Sequence, residues 1–148
     1  MKLFKFLIYF LPWFIGALFN NQSFYQNLSL PFFTPPPFIF IIVWPILYFL
    51  IALSIYKIYN QFSFKDNKPY NQSLIMNYIA NLLFPISFFT LTSPFLGFVS
   101  CLLVLITALN LYSETKNLNV ATSKLLIPYI IWDIFASILS LTIYFMNF

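Results

Sequence analysis

Apolar residues gather in five stretches, at about 6–19, 38–59, 73–90, 95–112 and 125–146, and polar residues collect between them. A helix crossing a bilayer needs about 20 apolar residues, so five crossings consume about 100 and leave only ends and short loops. The pattern predicts an all-α fold, an integral membrane bundle of five transmembrane helices, forming a single domain over residues 1–148. Four of the stretches contain a proline: Pro12, Pro45, Pro85 and, near the start of the last, Pro128. Pro45 predicts a bend over residues 41–44 and Pro85 a bend in the third span, distortions that a membrane bundle tolerates.

Residues 20–37 join the first two spans and carry no charge. The segment starts polar, at Asn20-Asn21-Gln22-Ser23, and ends in Pro35-Pro36-Pro37. Consecutive prolines are stiff and extended, so this loop is expected to be ordered and to fold over the bundle as a lid. Composition agrees with burial in lipid: 61% of residues are hydrophobic and 7% charged, against about 25% charged in a soluble domain. Ten charges cannot clothe a soluble fold of this size, which excludes an ordinary soluble enzyme and most nucleic-acid binders. With no His and one Cys, the chain can form neither an internal disulfide nor a His-based metal site. No cofactor is called for.

Charge does change the picture through its placement. Five spans put Lys2, Lys5, Lys57, Lys65, Lys68, Lys116 and Lys124, all the lysines of the chain, on one side. The positive-inside rule then sets the N-terminus in the cytoplasm and the proline-rich loop outside, in a membrane that is expected to be the bacterial cell membrane. Lys2 and Lys5 before an apolar run also suit a secretory signal, but no small-residue cleavage site follows, so a retained helix is expected.

Three helical faces stand out. Phe40, Trp44 and Tyr48 recur at i, i+4 and i+8; Asn81, Phe84 and Phe88 share a face of the third span; Tyr129, Trp132, Ala136 and Ser140 share one on the fifth. Rings with a few hydrogen-bonding heads are what a pocket for a flat, mostly apolar ligand requires. The same spacing serves helix packing. A structural or accessory subunit, whose aromatic faces meet partner helices, is therefore the alternative. Asp133 is the one carboxylate inside a span, and Ser137, Ser140 and Tyr144 lie on a similar face as potential hydrogen-bond partners for it. Cys101 follows Gly97 on a small-residue stripe suited to close helix contact.

Several segments resemble the translocator protein family, also called TspO or tryptophan-rich sensory proteins. Phe24-Tyr25-Gln26-Asn27-Leu28-Ser29-Leu30-Pro31-Phe32-Phe33-Thr34-Pro35-Pro36 resembles the family pattern W-Y-x-x-L-x-K-P-x-W-x-P-P. Phe40 through Tyr48 resembles F-x-x-V-W-x-x-L-Y, Asn81 through Phe89 resembles N-x-x-W-x-x-x-F-F, and Pro128 through Ser140 resembles P-Y-x-x-W-x-x-F-A-x-x-L-N. Phe24, Phe33 and Phe84 stand where the family has Trp, Leu30 where it has Lys, and Ser140 where it has Asn. Ring area is kept, while indole N–H donors and a lid cation are lost.

The resemblance implies a five-helix bundle, often a homodimer, that binds porphyrins and related planar molecules under the first loop. Carried over by position, the ligand-binding residues would be Tyr25, Pro35, Trp44, Tyr48, Asn81, Phe84, Phe88, Cys101, Trp132 and Ala136. Some bacterial relatives are linked to light-dependent porphyrin breakdown, for which Tyr25, Trp44 and Trp132 are the catalytic candidates by the same analogy. Only Asn147 and Phe148 follow the fifth span, so the Tyr-then-basic tail proposed for sterol binding is missing. The expected partners are thus a planar apolar small molecule, membrane lipid and a second copy of the chain, with no nucleic acid.

Overall fold

Five rods, four of them long, are arranged so that each end of the bundle gathers a different chemistry. The structure, a computed structural model, describes residues 2–148 and contains no strand among them. Helix α1 (Leu3–Phe10) runs on as a 3-10 helix over Leu11–Phe19, and a short α2 (Gln22–Gln26) lies in the loop that follows. Then come α3 (Pro37–Gln61), α4 (Lys68–Pro85), which a π-helical turn extends over Ile86–Thr90, and α5 (Pro94–Leu118). The short α6 (Val120–Ser123) and a 3-10 turn (Lys124–Leu126) lead into α7 (Ile127–Asn147). Four helices are long and apolar enough to cross a membrane, and Leu3–Phe19 is a shorter apolar fifth. The protein is an integral membrane protein.

The shorter span is long enough because of how it is wound. Eight α-helical residues rise about 12 Å and nine 3-10 residues about 18 Å, close to 30 Å together, the thickness of the hydrocarbon core. Pro12 sits at the start of the 3-10 stretch, where its missing N–H removes an α-helical bond. Pro85 likewise marks the passage from α to π winding. Pro45, by contrast, lies within an α3 that is continuous from Pro37 to Gln61.

Helix ends differ from the sequence reading at several places. The third span starts at Lys68, five residues before the expected 73, and the fourth continues to Leu118 instead of ending near 112. Polar residues extend both helices beyond the apolar runs that mark them in sequence. Loop helix α2 was not expected. It forms because Asn21 caps it, its side-chain oxygen accepting from the Phe24 N–H at 3.1 Å.

Around the bundle, α1 packs on α3, its 3-10 continuation on α4, α4 on α5, and α5 on α7. Helix α3 meets the last rod mainly through the turn at Lys124–Leu126. A core of Leu47, Ile51, Ile55, Ile58, Leu111 and Leu126 fills the lysine-bearing half, and Phe88, Leu139 and Ile143 centre a second core beneath the loop. Outward-facing Ile41, Ile79, Ile106 and Ile131 are exposed, as lipid contact demands.

Candidate functional site

The loop at 20–36 is fastened down at several points and forms a strap across the bundle end opposite the lysines. Asn21 donates its side-chain amide to the Phe89 carbonyl at 3.4 Å. Ser29 and Asn147 exchange two bonds, Ser29 N–H to Asn147 Oδ1 and Asn147 Nδ2 to the Ser29 carbonyl, each 2.9 Å. These tie the strap to the last residues of α7. Leu28, Leu30 and Phe33 tuck inward, while Phe32 at the outer turn is wholly exposed.

Beneath the strap the aromatic faces meet. On the α3–α7 side the Trp44 and Trp132 rings stand edge to face at 6.3 Å, with Phe40 against Trp132 at 5.8 Å and Phe135 against Trp132 at 5.3 Å. Tyr48 packs on Trp44 at 5.6 Å, and Phe33 of the strap comes down on Phe135 at 6.4 Å. On the α4 side Phe84 and Phe88 stack at 5.6 Å, and Phe88 supports Phe24 and Tyr25 at 5.6 and 6.5 Å. Phe88 is buried, whereas Tyr25, Pro35, Trp44, Tyr48, Asn81, Phe84, Trp132 and Ala136 are all half-buried.

Phe88 can occupy its seat only because Gly97 of α5 lies opposite. A Cβ at Gly97 would fall 2.7 Å from Phe88 Cδ2 and 3.1 Å from its Cβ. The small-residue stripe noted in the sequence is therefore a socket for one ring. Cys101, on the same stripe, is buried at the α5–α7 seam with its Sγ 3.3 Å from Ser140 Oγ.

A polar cluster forms the floor. Asn81 donates through Nδ2 to the Tyr129 hydroxyl and to the Asn77 carbonyl at 2.9 Å. The Tyr129 hydroxyl donates to Asn77 Oδ1 at 3.0 Å, and Asn77 donates through Nδ2 to Thr107 Oγ1 at 3.0 Å. Asn77 is completely buried. Sequence reasoning missed both it and Thr107. The available signal was Asn77 one turn before Asn81, which puts two amides on one face of a membrane helix. Asn81 uses its amide nitrogen in this way, and its side-chain oxygen has no partner among the described residues. Trp132 Nε1 and Asp133 Oδ2 of α7 are buried without partners, as are Thr34 Oγ1 of the strap and the Tyr70 hydroxyl.

Asp133 sits without the hydrogen-bonding stripe its neighbours offered in sequence. It is 2% exposed, but Ser137 does not bond its carboxylate. The Ser137 hydroxyl instead donates to the Asp133 backbone carbonyl at 2.9 Å, the usual one-turn habit of serine in a helix. Ser140 turns to Cys101, and Tyr144 packs against Phe95 at 5.4 Å. The expected polar stripe around the carboxylate therefore does not form.

Comparison with known proteins agrees with this arrangement. The sequence profile described as the TspO/MBR family matches residues 5–146. The chain is 41% identical to the tryptophan-rich protein TspO of Bacillus cereus, over 96% of this chain and 93% of that protein. It is 41% identical to the uncharacterized membrane protein YtaB of Bacillus subtilis, covering 89% of this chain and 86% of that one. It is 33% identical to the tryptophan-rich protein TspO of Archaeoglobus fulgidus, over 90% and 88%. Five apolar rods, a strap over an aromatic end, and matches along nearly the whole length lead to one conclusion: the chain belongs to the TspO/MBR family.

Proposed function

We propose that this protein is a membrane receptor for porphyrins and related planar, mostly apolar molecules, held beneath the strap between α3, α4 and α7. The observation that carries this reading is the separation of α3 from α7. The two helices meet mainly at the lysine-bearing end, and above it Phe40 and Trp44 on one side face Trp132 and Phe135 on the other. Rings that fill a gap between backbones can part and take a flat guest between them. Apolar walls with few polar groups are the usual make-up of such a site. The unused Asn81 oxygen would accept from a pyrrole N–H, and the unpartnered Trp132 indole N–H would donate to a ligand oxygen.

Ligand entry requires motion, because the rings touch and Phe33 of the strap rests on Phe135. Lifting the strap withdraws Phe33 and opens the rank of rings behind it. By the positive-inside rule the strap faces outward, opposite the lysines. That end offers a porphyrin propionate no lysine, only amides and water, so ring contact dominates over charge recognition.

Titration of the purified protein with protoporphyrin, followed by tryptophan fluorescence, tests the proposal. Saturable quenching is expected. Loss of about 1.4 kcal/mol of contact weakens binding about ten-fold, the effect expected of Trp44→Ala and of Asn81→Ala. Absence of saturable quenching would overturn the reading and favour aromatic faces that serve partner helices. Repeating the titration under illumination tests whether Tyr25, Trp44 and Trp132 also break down the bound macrocycle, read as loss of porphyrin absorbance.

A further inference from the structure

At the lysine-bearing end, remote from the strap, α1 leans on α3 and only its 3-10 continuation closes on α4. The result is a laterally open cleft of about 580 Å3. That volume lies in the range of ligand sites. Its roof is formed by Trp13 and by Tyr78, whose hydroxyl donates to the Pro12 carbonyl at 2.8 Å and whose ring meets Trp13 at 5.1 Å. Its walls are mainly apolar, with Ile55 and Leu74 inside and exposed Ile8 and Ile75 at the mouth. A mouth edged by exposed isoleucines on two membrane helices opens toward lipid.

One charged group lines this cleft, Lys5, and no carboxylate does. The Lys5 ammonium donates to Asn60 Oδ1 at 2.7 Å and lies 5.8 Å from the Tyr56 ring centre. Both are neutral partners, and an ammonium carries three donors, so charge and hydrogen-bonding capacity remain. The neighbouring chain adds Lys2, Lys57, Lys65 and Lys68 against Asp66 alone. An apolar slot that reaches the interface beside an uncompensated cation matches an amphiphile with an anionic head. Basic pockets between membrane helices bind such head groups.

We propose that the cleft between α1 and α4 binds an anionic phospholipid from the lysine-bearing leaflet, one acyl chain lying against Trp13 and the phosphate held by Lys5. The cleft adjoins the aromatic region, since Trp13 stacks on Tyr48 at 6.1 Å, but it opens at the lysine-bearing end and does not depend on the function proposed for that region. Trp13 is the built-in reporter. In a chain carrying Trp44→Phe and Trp132→Phe it is the sole tryptophan. This chain is placed in phosphatidylcholine vesicles containing acyl-brominated phosphatidylglycerol or, at equal mole fraction, acyl-brominated phosphatidylcholine.

The expected result is Trp13 quenching about five-fold more effective by the anionic lipid, the factor one lysine supplies near a membrane surface. Lys5→Gln should bring the two lipids level, while Lys116→Gln, at the far end of α5, should leave the preference intact. Native mass spectrometry of the otherwise unaltered protein should show retained phosphatidylglycerol, reduced by Lys5→Gln, which guards against misfolding of the single-tryptophan chain. Equal quenching by both lipids, or equal sensitivity to Lys5→Gln and Lys116→Gln, would overturn the proposal in favour of general surface attraction. Absence of quenching by either lipid would overturn it in favour of a cleft closed by packing or by a second copy.

Discussion

Gly97→Ala places one methyl group where the structure has no room for it. The new Cβ would stand 2.7 Å from Phe88 Cδ2, 3.1 Å from Phe88 Cβ and 3.3 Å from Phe88 Cγ. Carbon atoms rest at about 3.5–4.0 Å, so the closest pair must separate by about 0.8 Å or more. Ring rotation can move Cδ2 but not the Phe88 Cβ, which is fixed to its backbone, so α5 and the π-helical turn must part. Overpacking of this kind costs about 1–3 kcal/mol. Phe88 also supports Phe24, Tyr25 and Phe84, so the displacement passes directly into the strap and the wall of the proposed site. Thermal melting in detergent should show a lowered midpoint, and the protoporphyrin titration a weakened affinity. Phe88→Leu in the same chain, by removing the obstructing ring, should restore part of the lost stability. A Gly97→Ala protein that melts and binds like the parent would refute the claim that this glycine exists to seat Phe88.

Further expectations follow from the strap and the floor. Asn147→Ala removes both bonds to Ser29, and stopped-flow mixing with protoporphyrin should show faster association with little change in melting temperature. Asn77→Ala removes the acceptor of the Tyr129 hydroxyl and the amide donor to Thr107, while Asn81 keeps the backbone carbonyl of residue 77; leaving buried polar groups unpaired costs about 1–3 kcal/mol each, so melting should fall further than for Asn81→Ala. Burial raises the Tyr25 hydroxyl above its ordinary value of 10.0. The closed strap should therefore keep its full stability below pH 10 and lose it as pH climbs through the raised value; melting curves across that window test the sign. Porphyrin esters should bind as well as the free acids, because no lysine lies at the strap end, and a strong preference for the acids in parallel titrations would contradict that reasoning.

The span count, the sidedness of the lysines and the three aromatic faces were legible in the residues, since each depends on periodicity or on local composition. The lipid solvent enforces this, because a segment without water must satisfy its own backbone and so becomes a helix wherever the apolar run is long enough. The helix ends were less legible, since α4 begins at Lys68 and α5 ends at Leu118 in polar sequence, where aqueous capping and tertiary contact decide. Asn77 was passed over although it stands one turn before Asn81, because two amides on a helix face do not by themselves show what they will bond. Its importance comes from Thr107 and Tyr129, distant in the chain. Asp133 shows the opposite failure: Ser137 stands one turn away on the helix, but its hydroxyl finds the backbone carbonyl of residue 133 before the carboxylate.

By itself, then, the sequence determined that five apolar rods cross a membrane with their lysines at one end and aromatic faces on three of the rods. Tertiary structure alone decided which rods touch. It set Gly97 opposite Phe88, tied Ser29 to Asn147, closed Asn77, Asn81, Tyr129 and Thr107 into one network, and left α1 standing off α4 beside Lys5. The physical reason is range. Helix formation and membrane partition follow from neighbours along the chain, whereas sockets, straps and clefts follow from side-chain shapes that meet across tens of residues.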